Sequence, residues 1–499
     1  MKAFLAKFFA KYIVNKEQKW INNPLEFQDK ILNELITSAQ NTKFGKNHQF
    51  DKIKSYTDFK QYVPVRDYEA LKDYFEDVVK GESDILWPGR PIYLAKTSGT
   101  TSGTKYIPLT KESIPTHINS ARNALLFYIH ETNNSNFVNG KMIFLQGSPI
   151  LEDKNNLKVG RLSGISAHFV PNYLQKNRLP SYETNIIEDW ETKVNEIVQE
   201  TVKADMTLIS GIPPWLIMYF ERLIKVSGKE NIASIFKNLQ LMVTGGVNYE
   251  PYKDKINQLI GKNIDCIQTY PASEGFIAYQ NTQESDDLLL LLNNGIFYEF
   301  IPVDEFFNDN STRISLKDVD INKDYVIILN TNAGLWGYNI GDTVRFTSLN
   351  PYKILVSGRI KHYTSAFGEH VIGHEVEQAL QKTVEIYPAN IIEFTVAPQV
   401  NPKDGLPYHE WFIEFDSKPE NFAAFSIELD KQMRNQNTYY NDLISGNILR
   451  PLVVSTIKKG GFQDYMKSIG KLGGQNKVPR LSNDRKIADI FYQLNLIIE

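Results

Sequence analysis

The chain has 499 residues, of which 42% are hydrophobic and 23% are charged, with a formal net charge of −3. This is the composition of an ordinary globular protein. It argues against a nucleic-acid scaffold, which shows a basic excess or a basic stripe. A single cysteine, Cys266, excludes an intrachain disulfide and favours a reducing compartment, so we expect a cytoplasmic protein.

The first predicted element is an amphipathic helix. Lysines at positions 2, 7, 11 and 16 interrupt its apolar residues, which argues against a signal-peptide core and against stable membrane insertion. We expect the apolar face to pack on the body of the protein, with attachment to a membrane surface as the alternative. Six residues at helical spacing define this face, namely Phe4, Leu5, Phe8, Phe9, Tyr12 and Ile13.

A loop rich in glycine and hydroxyl groups follows a mostly helical stretch at 20–90. Residues 97–105 lie between two apolar strand-like runs, 91–95 and 106–109. Glycine lets such a loop turn its backbone N–H groups inward, and Thr, Ser and Lys side chains add donors and positive charge. The pattern therefore predicts a phosphate-binding loop, with a flexible linker as the alternative. It is not a Walker A motif, because only three residues separate Gly99 from Gly103 and Thr104 precedes Lys105.

Strands and helices then alternate, which indicates a parallel α/β sheet. We predict strands at 142–145, 206–209, 239–243 and 265–270, and helices at 111–130, 189–202, 215–226 and 252–260. Paired core strands follow at 288–292 and 296–301, with further β structure at 325–329 and 344–346.

The pattern breaks near Gly358, which predicts a domain boundary. We expect a large N-terminal domain of parallel or mixed sheets flanked by helices over 1–357. A small mobile α+β domain over 358–499 would be joined to it by a hinge near 357–361. The second domain should hold a helix at 372–383, strands at 391–397 and 410–415, a helix at 422–436 and a Gly-rich tail.

Four motifs stand where predicted strands end, which is where open parallel sheets bind their ligands. They are the 97–105 loop, Thr-Gly-Gly at 244–246, Tyr-Pro-Ala-Ser-Glu-Gly at 270–275, and Tyr-Asn-Ile-Gly-Asp at 338–342. Together they supply a phosphate loop, a close backbone approach, an aromatic ring and two carboxylates. ATP with Mg²⁺ needs those parts, since Mg²⁺ takes hard oxygen ligands.

These motifs, with Gly-Arg at 358–359 and Gln-Asn-Lys-Val-Pro-Arg at 475–480, resemble those of the acyl-adenylate-forming superfamily, which includes firefly luciferase and acyl-CoA synthetases. Within it, the sequence is most similar to the auxin-responsive acyl-acid amido synthetases. The motifs occur in that family's order and spacing, and the resemblance covers essentially the whole chain. Lys105 stands one position before the basic residue of many relatives.

The resemblance implies a role for each matching residue. Tyr270 would flank the adenine, Asp342 would bind the ribose with help from Arg359, and Glu274 would hold Mg²⁺. Lys477 would neutralise charge during adenylation and Lys361 would lie at the hinge. The remaining nucleotide contacts would come from Thr97, Ser98, Gly99, Thr100, Thr101, Ser102, Lys105, Gly245, Gly246 and Ser273.

The implied activity is that of an ATP-dependent acyl-acid amido synthetase. It would adenylate a carboxylic acid, releasing pyrophosphate, and then transfer the acyl group to an amine, such as an amino acid. The partners would be small molecules, without nucleic acid, and the enzyme a monomer or weak dimer. The acid pocket would be lined by 162–171 with His168, and by the 211–215 turn with Ile212 and Trp215. An acyl-CoA ligase on the same fold and a non-catalytic nucleotide-binding module are the alternatives.

Overall fold

In the computed structural model, the chain is described over 2–97, 105–170, 175–187, 189–246, 249–306, 308, 311–360, 367, 371, 373–445, 448–472, 477–482 and 484–498. It divides into two compact units, one of Met1–Tyr249 with Ile256–Val356 and one of Glu250–Lys255 with Ser357–Glu499.

The first unit begins with helices, as the polar, helical composition of 20–90 predicts. Side-chain caps fix two of them, because Thr42 accepts a hydrogen bond from the Gly45 N–H and Ser55 accepts one from the Asp58 N–H. The helices are Lys2–Ile21, Pro24–Ala39, Lys43–Asn47, Tyr56–Tyr62 and Lys72–Lys80, with 3₁₀ turns at Phe50–Lys52 and Glu69–Leu71.

The N-terminal helix differs from its prediction in the face that it buries. It packs through Ala10, Ile13, Val14, Trp20 and Ile21. Of the six residues expected to pack on the body, only Ile13 is buried, while the other five are exposed. The expectation was wrong because this helix carries apolar residues on two faces, and spacing alone does not say which face packs. Among the described residues, no helix is long and apolar enough to cross a membrane.

The two strands that flank the 97–105 loop form a hairpin of a small sheet. β1 (Tyr93–Thr97) and β2 (Lys105–Leu109) pair antiparallel from Tyr93↔Leu109 to Thr97↔Lys105. β5 (Leu157–Gly160) runs parallel to β1 and pairs with β4 (Glu152–Lys154), so the sheet order is β2-β1-β5-β4. The predicted strands are therefore confirmed, but they do not belong to the large parallel sheet.

The large sheet of the described residues is mixed, as predicted for this unit. Its strands are β3 (Lys141–Phe144), β6 (Arg178–Leu179), β7 (Met206–Ser210), β8 (Leu241–Gly245), β9 (Asp265–Ala272), β10 (Gly275–Tyr279), β11 (Leu288–Leu290), β12 (Ile296–Pro302), β13 (Ile314–Ser315), β14 (Asp324–Thr331), β15 (Tyr338–Leu349) and β16 (Tyr352–Arg359). Their order in the sheet is β13-β12-β14-β15-β16-β11-β10-β9-β8-β7-β3-β6, and the part β6-β3-β7-β8-β9 is parallel.

Helices connect the parallel strands close to their predicted positions. Near-continuous apolar runs such as β14, of which all but Asp324 is buried, identify the strands of the core. The helices are Ser113–Thr132, Leu162–Ala167, Tyr182–Asn185, Trp190–Thr201, Pro213–Ser227, Ile232–Ile235 and Glu250–Ile260, with 3₁₀ turns at Asn136–Asn139, Val303–Glu305 and Leu316–Asp318.

The second unit is α+β, as predicted. β17 (Asn390–Gln399), β18 (Tyr408–Ser417), β19 (Val453–Ile457) and β20 (Ile497–Ile498) form its sheet in that order. Its helices are Gly373–Ile386, Phe422–Gln436, Thr438–Ser445, Gly461–Ser468 and Lys486–Gln493. The last two lie in the stretch that the sequence analysis described only as a Gly-rich tail.

Candidate active site

The carboxyl ends of β8 and β9 meet at a close backbone contact. The parallel register places Gly245 beside Thr269, whose Oγ1 donates to the Thr244 carbonyl oxygen at 3.0 Å. A Cβ at Gly245 would lie 2.5 Å from the Thr269 carbonyl oxygen, so a side chain has no room there. Gly246 follows at φ +81°, a conformation that favours glycine. Steric fit and backbone conformation therefore explain the presence of glycine at both positions, independently of any ligand.

We expect Gly245→Ala to destabilise the protein by about 2 kcal/mol, because the new methyl group meets backbone rather than a side chain that can move. Urea unfolding would measure the change. Gly373→Ala is the matched control, since its Cβ would have no atom closer than 3.9 Å. Equal stability of the two variants would contradict the steric argument.

Two residues far apart in sequence, Tyr270 and Asp342, are joined by a short hydrogen bond. The Tyr270 hydroxyl donates to Oδ2 of Asp342 at 2.6 Å, and the Tyr270 side chain is 7% exposed. Tyr270 belongs to β9, so the aromatic ring and the carboxylate lie at the same edge of the sheet as the glycine pair. The structure therefore brings together residues from three of the four predicted strand ends.

Asp342 reaches this position through an irregularity in β15. The sequence predicts a position beyond the end of a strand for Asp342, and this prediction is wrong because Asp342 lies inside β15. The register against β14 shifts between Val326↔Thr343 and Ile328↔Asn339, so residues 340–342 bulge out of the ladder. Gly341 has φ +83° and its N–H donates to Oδ1 of Asn339 at 2.8 Å. Bulges of this kind redirect side chains at active sites.

Ser273 and Glu274 form the two-residue turn between β9 and β10, with Ala272 paired to Gly275. Both side chains are partly exposed. Among the residues that the structure describes, no group of three His, Cys, Asp or Glu side chains could hold a metal ion by itself. A single carboxylate such as Glu274 fits a Mg²⁺ ion that takes its other ligands from substrate phosphates, because such Mg²⁺ binds only one or two protein carboxylates.

A further polar atom at this edge is the Thr244 hydroxyl, to which the Thr-Gly-Gly motif assigns no role. Thr244 is 2% exposed, and its Oγ1 has no hydrogen-bond partner among the described residues. A buried hydroxyl without a partner is costly. The Thr-Gly-Gly run was the available signal, but only the burial of β8 reveals that this hydroxyl is unsatisfied.

The ends of the predicted phosphate loop are fixed by the β1–β2 pairing. Thr97 pairs with Lys105, while Ser98, Gly99, Thr100, Thr101 and Ser102 lie outside the described residues. The Lys105 Nζ lies 5.4 Å from the centre of the Tyr68 ring, and the Tyr68 hydroxyl accepts a hydrogen bond from the Tyr106 N–H at 3.1 Å. Tyr68 therefore holds the strand residues that follow the loop. Tyr68 and Tyr106 are 38 positions apart in the sequence, so no local pattern indicates this contact.

A small apolar pocket of about 10 Å³, roughly the space that one water molecule needs, lies between the helices Ser113–Thr132 and Leu162–Ala167. The predicted segment 162–171 contributes Leu162, Ile165, Ser166 and Phe169 to its lining, whereas Ile212, Trp215 and His168 do not line it. The His168 Nε2 instead lies 2.8 Å from the Pro149 carbonyl oxygen, and Trp215 is buried. The acid-binding role of those three residues stays a prediction.

His117, on the wall of this pocket, is 5% exposed, and burial lowers its pKa from 6.5 to about 4. The unfolded chain takes up this proton near pH 6.5 and the folded protein only near pH 4. Acid therefore costs folding stability within that window, by up to about 3 kcal/mol. From pH 7 to pH 4, we expect the free energy of unfolding of wild type to fall by up to that amount relative to that of His117→Leu, which lacks the titrating group. Urea unfolding would measure it with His130→Leu, an exposed histidine, as the control, and a pH-independent difference would contradict it.

In the second unit, the run that contains Lys477 is tied to β17. The Thr395 hydroxyl donates to the Pro479 carbonyl oxygen at 2.6 Å, and the Val396 N–H donates to the Arg480 carbonyl oxygen at 3.0 Å. Arg480 forms ion pairs with Glu377 and Glu393. Lys477 is exposed, three residues before Arg480.

The structure does not test the roles of two further predicted residues. Arg359 ends β16, and Lys361 lies outside the described residues, so the roles of Arg359 and Lys361 and the hinge at 357–361 stay predictions.

Models of one protein family match three stretches of the chain. They are the GH3 family N-terminal domain over 14–168, the central domain over 289–359 and the C-terminal domain over 374–486. Together they cover more than half of the chain, including the segments that hold Asp342, β17 and Arg480.

Curated relatives and one solved structure are similar to the chain. The indole-3-acetic acid-amido synthetase GH3.3 of Arabidopsis thaliana is 23% identical over 316 residues, which are 58% of this chain and 52% of that protein. A jasmonoyl–L-amino acid synthetase, GH3.5 of Oryza sativa subsp. japonica, is 24% identical over 48% of this chain and 45% of its own. The chain thus spans about half the length of these relatives. The structure of the GH3.15 acyl acid amido synthetase matches with a TM-score of 0.79 at 15% identity, over 99% of this chain and 97% of that one.

Proposed function

The chain belongs to the GH3 family, and on this basis we propose that it is an ATP-dependent acyl-acid amido synthetase. A carboxylic acid and ATP would give an acyl-AMP and pyrophosphate, and an amine would then displace AMP to give an amide. The observation that carries the proposal is the Tyr270–Asp342 hydrogen bond beside the Gly245 backbone, with Glu274 on the neighbouring turn. An aromatic ring, a backbone segment without side chains and carboxylates thus lie at the edge where an open α/β sheet binds its ligands.

In this proposal, the adenosine half of ATP lies along β8 and β9. Tyr270 packs against the adenine, and its hydroxyl holds the Asp342 carboxylate so that it can accept from the ribose hydroxyls. The Gly245–Gly246 backbone approaches the base because it carries no side chains. The unsatisfied Thr244 hydroxyl would gain a partner from the nucleotide.

The phosphates would lie toward the 97–105 loop, with Lys105 contributing positive charge. Glu274 would hold Mg²⁺, which when bound supplies Lewis-acid stabilisation of the charge on the phosphate oxygens. Lys477 would approach the reacting carboxylate and α-phosphate when the second unit turns at 357–361, with Arg359 and Lys361 at the hinge. Domain swings of this kind commonly set turnover.

The chemistry explains why adenylation comes first. A carboxylate and an amine exchange a proton instead of reacting, whereas an acyl-AMP offers the amine a carbonyl with a good leaving group. Donors and cations placed around the α-phosphate stabilise the charge that develops as pyrophosphate departs. The chain needs no covalent nucleophile of its own for either step.

For the substrates, we propose an apolar or aromatic acid and an amino acid. The apolar side chains of the predicted acid-binding segment 162–171, such as Leu162, Ile165 and Phe169, support the first. The similarity to the jasmonoyl–L-amino acid synthetase of Oryza sativa subsp. japonica supports the second. We place the enzyme in the cytoplasm as a monomer or weak dimer, where ATP is supplied and Cys266 stays reduced.

The test is a product analysis. The protein, ATP and Mg²⁺ are incubated with a panel of carboxylic acids, first with a mixture of amino acids and then with coenzyme A. We expect mass spectrometry to find an acid-dependent amide together with AMP. A thioester formed only with coenzyme A would instead establish an acyl-CoA ligase, and ATP binding without AMP formation would establish a nucleotide-binding module.

A further inference from the structure

The helix Lys2–Ile21 is held on the first unit by one face only. Ala10, Ile13, Val14, Trp20 and Ile21 are buried, and Ala10 is fully enclosed. The Ser135 hydroxyl donates to the Ala3 carbonyl oxygen at 2.8 Å, which fixes the amino end of the helix as well. The helix is therefore a fixed part of the unit from its first turn onward.

The opposite face of the same helix is also apolar. Successive residues of a helix are about 100° apart, so positions 4, 8 and 12 form a stripe that points away from Ala10. Phe4, Phe8 and Tyr12 are 64%, 61% and 64% exposed, and Leu5 beside them is 58% exposed. The rings of Phe4 and Phe8 touch edge to face, with centroids 4.8 Å apart. A contiguous aromatic stripe of this size on a folded surface marks an interaction site.

The charge around this stripe is mostly positive. Residues 2–19 contain five lysines and a single acid, Glu17, whose carboxylate accepts hydrogen bonds from the Trp20 indole N–H and from the Asn293 amide. Lys2, Lys11 and Lys16 are exposed on the flanks of the stripe. On the adjacent helix, the Arg122 guanidinium lies 5.6 Å from the centre of the Phe9 ring, which adds another cation at the edge.

We propose that this face docks the protein on a lipid surface that carries anionic head groups. The aromatic stripe would enter the boundary between head groups and acyl chains while the helix lies parallel to the surface, and the lysines would contact the phosphates. Phenylalanine and tyrosine suit that boundary because their rings are apolar and compact, and tyrosine adds a polar tip.

A second copy of the chain is the competing occupant of this face. Two identical faces packed together would bring their flanking lysines close to one another without a compensating acid, which like-charge repulsion disfavours. An anionic lipid surface instead attracts these lysines. The charge pattern thus favours lipid over self-association.

The test measures binding of the full chain to vesicles by co-sedimentation. We expect binding to vesicles of phosphatidylcholine with phosphatidylglycerol, at least about tenfold weaker binding to phosphatidylcholine alone, and release in about 1 M salt. A Phe4→Ser, Phe8→Ser, Tyr12→Ser variant should bind at least about tenfold more weakly. A Lys11→Glu, Lys16→Glu variant should lose binding to a similar extent.

Matched variants control for general effects on the surface. Ile427→Ser with Tyr182→Ser and Ile386→Ser changes three apolar residues that are similarly exposed elsewhere, and Lys237→Glu with Lys262→Glu reverses two exposed lysines. Both should bind as wild type does, and all the variants should keep the amide-forming activity. This separates a failure of the docking proposal from a failure of the proposed function.

Three outcomes would overturn the proposal. The first is absence of binding to the anionic vesicles. The second is binding that neither the aromatic nor the lysine variant weakens. The third is concentration-dependent dimerisation without vesicle binding, abolished by the aromatic variant in sedimentation experiments, which would assign the face to a second copy.

Discussion

Replacing Glu274 with alanine is expected to reduce acid-dependent exchange of pyrophosphate into ATP by at least about 100-fold. Glu274 lies in the two-residue turn between β9 and β10, four residues after Tyr270, whose hydroxyl donates to Asp342. In the proposed role it is a protein ligand of Mg²⁺, and losing such a ligand weakens charge stabilisation on the phosphates. The fold should survive, because the side chain is partly exposed and its truncation leaves no sealed cavity.

Glu230→Ala is the matched control for this experiment, since Glu230 is an exposed glutamate. Circular dichroism and urea unfolding of both variants should match wild type. Exchange by Glu274→Ala at a rate near that of wild type would remove the metal-binding assignment. A loss of exchange that is accompanied by unfolding would assign Glu274 a structural role instead.

Replacing Asp342 with alanine is expected to raise the KM for ATP by about 100-fold, with a smaller change in kcat. The side chain would lose its contacts with the ribose, and hydrogen bonds to a charged group are each worth about 1.5–3 kcal/mol. Tyr270→Phe should raise the same KM by about tenfold. It keeps the ring but removes the hydroxyl that donates to Asp342 at 2.6 Å.

Because Tyr270 acts partly through Asp342, the double variant is informative. Tyr270→Phe combined with Asp342→Ala should show little more loss than Asp342→Ala alone, since the hydrogen bond is already absent. Asp73→Asn, at an exposed aspartate, is the control. A merely structural pair would lower stability and leave the KM for ATP unchanged, which would contradict the assignment.

The part of the candidate active site at the ends of β8 and β9 could be predicted from the sequence, because the patterns that indicate it are local. Buried strand runs followed by Thr-Gly-Gly or by Tyr-Pro-Ala-Ser-Glu indicate where β8 and β9 end, and parallel strands end at one edge. The hydrogen bond between Tyr270 and Asp342 was not predictable in this way. It depends on the bulge at 340–342, which is set by the register of β15 against β14 rather than by residues 338–342 alone.

Other features escaped prediction because they depend on tertiary packing. The spacing of Phe4, Phe8 and Tyr12 correctly predicts a helix, but the helix buries the opposite face, which carries Ala10 and Val14. In the second unit, the sequence predicts only a Gly-rich tail after the helix at 422–436. Gly460 and Gly470, both with positive φ, instead bracket the helix Gly461–Ser468.

The measurement that most directly tests the central claim is exchange of labelled pyrophosphate into ATP, with the protein given a broad panel of carboxylic acids and no amine. The account predicts exchange that depends on one or a few acids, requires Mg²⁺ and disappears in Glu274→Ala. Absence of acid-dependent exchange from a folded, ATP-binding protein would contradict it.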